Sequence, residues 1–224
     1  MMQKFDTATA ITAAIDITAG RIQVIAADRT DTTVEIRPAG ATKSRDIKAA
    51  EQTTVEFTDG ILRITGPAQN NQLFGQTGSV EVTVQLPTGS HVQATAAAAQ
   101  FRGVGRLGNI TVNGAHDETK IDEAATVNLT AHAGDITVGR LTGPAHITTQ
   151  QGDITIAEAT TGTVELTTQQ GNLTITTAPG ASATLDAGTT YGRVTNTLTN
   201  TEGPAAALTI KATTQHGDIT ARSL

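Results

Sequence analysis

Six glycines divide the second half of the chain into units of similar length, and this repeat constrains the fold more than any other feature. Successive glycines are separated by 26, 18, 19, 21 and 25 residues; they are Gly108, Gly134, Gly152, Gly171, Gly192 and Gly217. The residue two positions after each glycine is always aliphatic: Ile110, Ile136, Ile154, Leu173, Val194 and Ile219. A repeat of this length predicts one structural unit per period, stacked on its neighbours.

Alternating apolar and polar residues predict two short strands in each unit, one on either side of the glycine. In the unit around Gly171, for example, Val164 and Leu166 precede the glycine, and Leu173 and Ile175 follow it. A period of two places these side chains on one face, which a single unit cannot bury alone. Units stacked in parallel about 4.8 Å apart share one aliphatic interior. The sequence therefore predicts an all-β fold, a β-solenoid, and the crossover preference of parallel strands favours right-handed winding.

The first hundred residues repeat less regularly. Alternating runs cover residues 20–26, 32–38 and 79–87, and residues 55–64 (VEFTDGILRI) contain the Asp-Gly signal of an antiparallel hairpin. The polar stretch 39–50 is expected to form a loop. We predict a mixed or antiparallel β cap over residues 1–100, leading into repeats over 101–224. A chain of 224 residues is compatible with a single domain spanning 1–224.

Charge and composition exclude several classes of function. The chain carries 15 Lys and Arg against 21 Asp and Glu, so its net charge of -6 does not attract a phosphate backbone, and no nucleic-acid partner is expected. Cysteine is absent, which excludes a thiolate nucleophile and a Cys-ligated metal. The first twenty residues lack a signal-peptide pattern, and no apolar run approaches the roughly 18–20 residues that cross a bilayer. We therefore expect a cytoplasmic protein without direct membrane insertion.

The position after each glycine is the most tempting ligand site. It holds Asn109, Asp135, Asp153, Asn172, Arg193 and Asp218. Stacked aspartates are able to bind calcium, but exchange with Asn and Arg argues against a site that depends on charge. Gly permits a positive φ and an Asx side chain caps nearby amides. We predict structural turn residues at Gly108, Gly134, Asp135, Gly152, Asp153, Gly171, Asn172, Gly192, Gly217 and Asp218, with a calcium-dependent fold as the alternative.

Other candidate sites also favour structural readings. GVGRLG at 103–108 has the glycine spacing of a dinucleotide-binding loop, but a strand follows where a helix is needed, which favours a flexible link between cap and repeats. No histidines converge as zinc ligands. His146 and Glu165 share a register on neighbouring units, with Asn128 beyond, and all three should face solvent. We interpret them as an ordinary cross-strand polar pair and its neighbour.

The densest carboxylate cluster lies in NGAHDETKIDEAA and contains Asp117, Glu118, Asp122 and Glu123. Paired carboxylates perform glycoside hydrolysis when they flank a sugar, so a carbohydrate-active β-helix enzyme using Asp and Glu is the alternative function. Aromatic residues make up only 2% of the chain, and Lys120 lies within the cluster. We interpret the cluster as a solvated insertion loop and expect no catalytic, cofactor-binding or metal-binding residues.

The phrases GDITV, GDITI, GNLTI, YGRVTN and HGDIT, preceded by VQLPTGSHV, resemble the bacterial putative-adhesin or toast-rack family of β-strand-repeat proteins. This resemblance implies a solenoid-like domain, often attached to membrane-anchored envelope-stress proteins, that mediates interactions; it supplies no catalytic residues. We predict a non-catalytic protein-interaction or structural module with an unidentified protein partner. Uncapped edge strands at the end of the stack would allow a homo-oligomer.

Overall fold

The computed structural model describes residues 2–67 and 78–224, which form two compact units: unit 1 ends at Asp117 and unit 2 begins at Glu118. Each unit has its own aliphatic interior, with Ile15, Val24 and Leu62 fully or almost fully buried in unit 1 and Ile147 and Ile156 in unit 2. A single domain over residues 1–224 stays a prediction.

Unit 1 is a mixed β structure organised around its second strand. Its elements are β1 (Met2–Asp6), β2 (Thr12–Ala27), β3 (Asp31–Pro38), α1 (Ser44–Gln52), β4 (Thr54–Thr58), β5 (Ile61–Thr65), β6 (Val80–Pro87) and β7 (His91–Ala115). Strand β2 pairs in parallel with β5, β6 and β7. Strand β3 is antiparallel to β1 and β6, and β4 and β5 form an antiparallel hairpin. Asp59 and Gly60 at its turn have φ values of 52° and 74°. The mixed strand pairing predicted for this part of the chain and the 55–64 hairpin are confirmed, and the boundary at residue 100 stays a prediction.

Helix α1 contradicts the predicted loop over residues 39–50. Asp46 is only 2% exposed, and its Oδ1 accepts a hydrogen bond from the backbone N–H of Ser79 at 3.0 Å. Ala49 and Ala50 are buried on the same helix. The loop prediction is wrong because the polar composition conceals one buried carboxylate and a small apolar face that stabilise the helix through tertiary contacts.

Strand β7 contradicts the predicted flexible link at 103–108. The strand continues through this stretch, and Gly105, with a φ of 78°, lies so close to β2 that a Cβ there would stand 2.2 Å from the Ala26 carbonyl oxygen. Gly108 also lies within β7 and not in a turn, contrary to its predicted role. A Cβ on Gly108 would approach the Gly89 carbonyl oxygen at 2.5 Å. These glycines permit close backbone packing within a continuous strand.

Unit 2 is a β-solenoid, as the period predicts. Its strands are β8 (Thr119–Ala131), β9 (Ile136–Leu141), β10 (Ala145–Gln151), β11 (Ile154–Ala159), β12 (Gly162–Gln170), β13 (Leu173–Thr177), β14 (Ala183–Tyr191), β15 (Val194–Thr197), β16 (Leu208–His216) and β17 (Ile219–Ser223). A short 3-10 helix spans Gly203–Ala205. The strand pairs of unit 2 are parallel and in the predicted register, with Val164 opposite Ala145 and Leu173 opposite Ile154. Right-handed winding stays a prediction.

The parallel pairs form two ladders. The first ladder runs β8–β10–β12–β16–β14. The second ladder runs β8–β9–β11–β13–β17–β15. The last coil of the chain, β16–β17, therefore lies between β12–β13 and β14–β15. We call residues 208–223 the inner coil and residues 183–197 the terminal coil. The coils do not stack in chain order.

Interior side chains shrink toward the terminal coil. Leu166 and Ile175 occupy the positions five before and four after the glycine in the β12–β13 coil, and Ala212 and Ala221 take these positions in the inner coil. In the terminal coil they are Ala187 and Asn196, neither of them buried. The terminal coil thus has the weakest apolar pattern and lies where least surface is buried.

Candidate functional site

A chain of hydrogen bonds connects the positions that follow the repeat glycines. The Asp153 N–H donates to Asp135 Oδ1 at 2.9 Å, and the Asn172 N–H donates to Asp153 Oδ1 at 2.7 Å. The Asp218 N–H donates to Asn172 Oδ1 at 2.9 Å, and the Arg193 N–H donates to Asp218 Oδ1 at 2.8 Å. We call this the Asx ladder. Asp and Asn perform the same task in it, since each needs only one acceptor oxygen.

The glycines beside the Asx ladder lie nearly in backbone contact. A Cβ on Gly171 would stand 2.0 Å from the carbonyl oxygen of Gly152, and a Cβ on Gly217 would stand 2.0 Å from that of Gly171. A Cβ on Gly192 would likewise stand 2.0 Å from the carbonyl oxygen of Gly217. Gly134 and Gly152 have positive φ values of 104° and 132°. This geometry supports our inference that the recurrent phrase forms coil corners.

No group of three or more His, Asp or Glu side chains that could hold a metal ion occurs among residues 2–67 and 78–224. The absence of metal and cofactor stays a prediction. Within these same ranges no helix has the length and apolarity needed to cross a membrane. Cytoplasmic location also stays a prediction.

A row of polar side chains crosses the outer face of the first ladder, and we call it the charged row. In spatial order it contains Asn128, His146, Glu165, Lys211 and Asp186, which are opposite one another in successive strands. His146 Nδ1 lies 3.2 Å from Glu165 Oε2, and Lys211 Nζ donates to Glu165 Oε1 at 2.9 Å. The expected register of Asn128, His146 and Glu165 is confirmed.

Glu165 is the electrostatic centre of the charged row. The hydrogen bond from Lys211 and its positive charge hold the pKa of Glu165 below its ordinary value of 4.5, and the hydrogen bond with His146 contributes less. The same contact with Glu165 raises the pKa of Lys211 above 10.5, with a smaller contribution from Asp186. All of these side chains are well exposed to solvent, so the row adds little to stability.

The row also gives an electrostatic reason for the coil order. All five members stand six positions before a repeat glycine, a signal that is present in the sequence. Stacking in chain order would set Glu165 beside Asp186, and two like charges directly opposite each other destabilise a sheet. The inner coil inserts Lys211 between the two carboxylates.

An open groove of about 480 Å³ lies beside the charged row on the same face. Asn128, His146 and Glu165 of the charged row line it together with Val127 and Pro144. Pro144 is exposed in the groove and Val127 is only 2% exposed. Charged side chains beside an exposed apolar ring are a combination that protein interfaces also use.

Unit 1 has a separate groove of about 730 Å³ where β5 leaves β2. Asp16, Thr65 and Thr95 line it together with Gln52 and Thr54. Asp16 is the one carboxylate among the described residues that line it, and a catalytic pair for glycoside hydrolysis needs two.

Of the four carboxylates expected in one insertion loop, Asp117 and Glu118 lie between strands β7 and β8, as predicted, and the other two do not. Asp122 and Glu123 lie within strand β8, so the loop prediction is wrong for them. The reason is that Ile121 and Ala124, on either side of them, are buried and pair with Val138 and Leu141 of β9, so the solenoid interior continues through this segment. Glu123 is opposite Arg140 in the second ladder. Glu118 pairs with Lys120 at 2.7 Å, and Asp117 belongs to unit 1.

Comparison with known proteins gives a family and a fold. The model of the family Toastrack DUF4097 matches residues 12–222. A putative adhesin from Bacteroides fragilis is 14% identical and superposes with a TM-score of 0.55, covering 100% of this chain and 96% of that one. A putative cell adhesion protein from Clostridium sporogenes is 9% identical, with a TM-score of 0.43 and coverages of 100% and 99%. No curated protein matches the chain.

Proposed function

This chain belongs to the Toastrack DUF4097 family, and from that premise we propose that it is a non-catalytic interaction module whose charged row binds a protein partner. The observation that carries the proposal is the alignment of His146, Glu165 and Lys211 in register beside the groove. Backbone pairing on both sides of each strand holds these side chains in place. A rigid row of alternating charge favours one binding register and disfavours partners with the opposite pattern.

The adhesion-type or envelope-stress setting is part of the proposal. The name of the Bacteroides fragilis structure, a putative adhesin, supports the first setting, and the resemblance of the repeat phrases supports the second. Both settings need a surface that recognises another macromolecule, and the charged row is such a surface.

A charge exchange tests the proposal without removing the ion pair. In the double variant Glu165→Lys/Lys211→Glu the two charges still pair, but the pattern presented to a partner is reversed. We expect affinity capture with the native chain to recover a specific partner that the exchanged variant does not bind. The matched control is Arg140→Glu/Glu158→Arg, an exposed pair at 3.4 Å on the second ladder, which should keep the partner.

Two results would contradict the proposal. One is capture of the same partner by the native and the exchanged chains, which would place binding elsewhere. The other is turnover of a polysaccharide that Asp122→Ala or Asp153→Ala abolishes, which would favour the carbohydrate-active enzyme.

A further inference from the structure

The terminal coil leaves one end of the solenoid with open strand edges. Within the described residues, β14 has ladder pairing only with β16, and β15 only with β17. The Ala183 N–H at the start of β14 donates to the Thr199 carbonyl oxygen at 3.2 Å, so the open edge lies along the rest of β14 and along β15. Each interior coil pairs on both sides. Open edges present unpaired backbone N–H and C=O groups, which other strands can use.

Apolar side chains at this end are only partly covered. Val194 is 41% exposed, whereas Leu173 and Ile219 at the same position of neighbouring coils are completely buried. Tyr191 is 68% exposed. These two are among four exposed large hydrophobic side chains in the described part of the chain, and they stand on either side of one corner. Exposed apolar surface beside an open edge marks an interaction surface.

Arg193 prevents a further parallel coil from stacking here in the same way. Every other step of the Asx ladder uses an Asp or Asn oxygen to receive the next coil's backbone N–H. The guanidinium of Arg193 has donors and no acceptor. A second copy stacked head to tail, with its first coil in parallel on the terminal coil, would therefore lack this side-chain-to-backbone hydrogen bond. An antiparallel strand pairs through its backbone alone and does not need it.

The same corner is complementary to itself. The ring of Tyr191 stacks on His216, with centroids 4.9 Å apart and planes at 15°, and its other face points away from the coil stack. Arg193 lies two residues later, on the β15 side of the corner, and is exposed. A two-fold axis along the strand direction places β14 against β15 of the partner subunit. It also places Tyr191 against Arg193 of the partner subunit, twice per dimer, and guanidinium groups are attracted to aromatic faces.

We propose that the terminal coil is a homodimerisation surface, through which two copies of this chain pair β14 and β15 antiparallel and exchange Tyr191–Arg193 contacts. The dimer covers Val194 and satisfies the open backbone groups of both copies. Tyr and Arg are also the residue types most often found at the energetic centres of interfaces. This surface is distinct from the binding face that we assign to the charged row.

Sedimentation of the full chain across a concentration series tests the dimer. We expect a monomer–dimer equilibrium that is populated at about 100 µM, where complexes with micromolar dissociation constants form. Tyr191→Ala and Arg193→Ala should each weaken it about tenfold or more, because each removes both symmetric contacts. Tyr191→Phe keeps the ring and Arg193→Lys keeps the cation, so both should dimerise nearly as the native chain does. Near-native circular dichroism for all four variants shows that the fold is kept.

Three results would overturn the proposal. The native chain could sediment as a monomer at every concentration. The dimer could persist unchanged in both alanine variants, which would place the contact elsewhere. Assembly could grow without limit, which is the behaviour of head-to-tail stacking. The exchange of Glu165 and Lys211 leaves this corner intact, so loss of a partner there with retention of the dimer separates the two proposals.

Discussion

The inner and terminal coils carry the same repeat and occupy different environments. Ile210 and Ile219 of the inner coil are completely buried, and Lys211 is paired with Glu165. In the terminal coil, Leu185 is only partly buried and Val194 is exposed. The coil with the stronger apolar pattern lies inside the stack, although it comes last in the chain. We infer from this difference that the apolar and charged side chains of each coil determine its position in the stack, and that its position in the chain does not.

The largest effect should come from a methyl group at the inner corner. Gly217 has a φ of 147° and stands between Gly171 and Gly192, so Gly217→Ala both strains the backbone and overlaps the Gly171 oxygen. We expect a loss of about 4 kcal/mol in the free energy of unfolding, measured by urea denaturation. Gly192→Ala should cost less because the terminal coil can move outward. Gly188→Ala is the control, because a Cβ there would have no atom within 4 Å. Equal losses of stability in Gly217→Ala and Gly192→Ala would contradict the difference between the inner and terminal coils.

Next in size is a large-to-small change in the interior. Ile210→Ala should lower the free energy of unfolding by about 3 kcal/mol, since it opens a cavity between two coils. Leu185→Ala removes a side chain from the equivalent position in the terminal coil and should cost about half as much, because less apolar surface was buried. Urea unfolding of both variants gives the difference, and a larger loss for Leu185→Ala would show that the end of the stack is covered.

Much of unit 2 is predictable from sequence because its rules are local. Alternation and the glycine period involve residues within 26 positions of one another, and the parallel pairing of coils that are consecutive in the chain follows from them. Helix α1 is different: its buried Asp46 is satisfied by Ser79, 33 residues away, and no local signal announces that contact.

The stacking order of the coils was also not predicted, although the sequence contains residues that indicate it. Arg193 lacks an acceptor for a following coil, Asn196 places an amide where other coils have an apolar residue, and Lys211 separates two carboxylates. Each is a small deviation from the repeat, and only together do they identify residues 183–197 as the end of the stack. The charged row was partly predictable. His146 and Glu165 belong to coils that are consecutive both in the stack and in the chain, whereas Lys211 neighbours Glu165 in the stack but comes from the last coil of the chain.

A smaller effect is expected along the Asx ladder. Asn172→Ala leaves the backbone N–H of Asp218 without its acceptor and should cost about 1 kcal/mol. Asp218→Ala removes the acceptor of the Arg193 N–H, which water can reach, so its cost should be lower. Asn172→Asp keeps the oxygen and should be close to neutral by thermal unfolding. A marked loss in that control, or a melting temperature that falls in chelator, would favour a calcium-dependent corner.

The smallest expected effect is the lowering of the Glu165 pKa by Lys211, which is best measured at the Glu165 carboxyl carbon. A carboxyl group whose pKa is lowered on folding stabilises the folded state above its unfolded pKa, and this contribution is lost as the pH falls through the folded pKa. Glu165 should therefore titrate below 4.5 in the native chain and closer to 4.5 in Lys211→Gln. Carbon NMR of the Glu165 carboxyl gives both values. A native pKa above 4.5 would indicate Asp186 as its neighbour.

The order of the coils is tested most directly by disulfide trapping, because the chain has no native cysteine. Neighbouring strands lie about 4.8 Å apart, within the Cα separation that a disulfide spans, and strands two apart lie roughly twice as far. The double variant Glu165→Cys/Lys211→Cys should oxidise to an intramolecular disulfide in the folded protein, and Glu165→Cys/Asp186→Cys should not. The opposite result, with a bond between positions 165 and 186 and none between 165 and 211, would show that the coils stack in chain order.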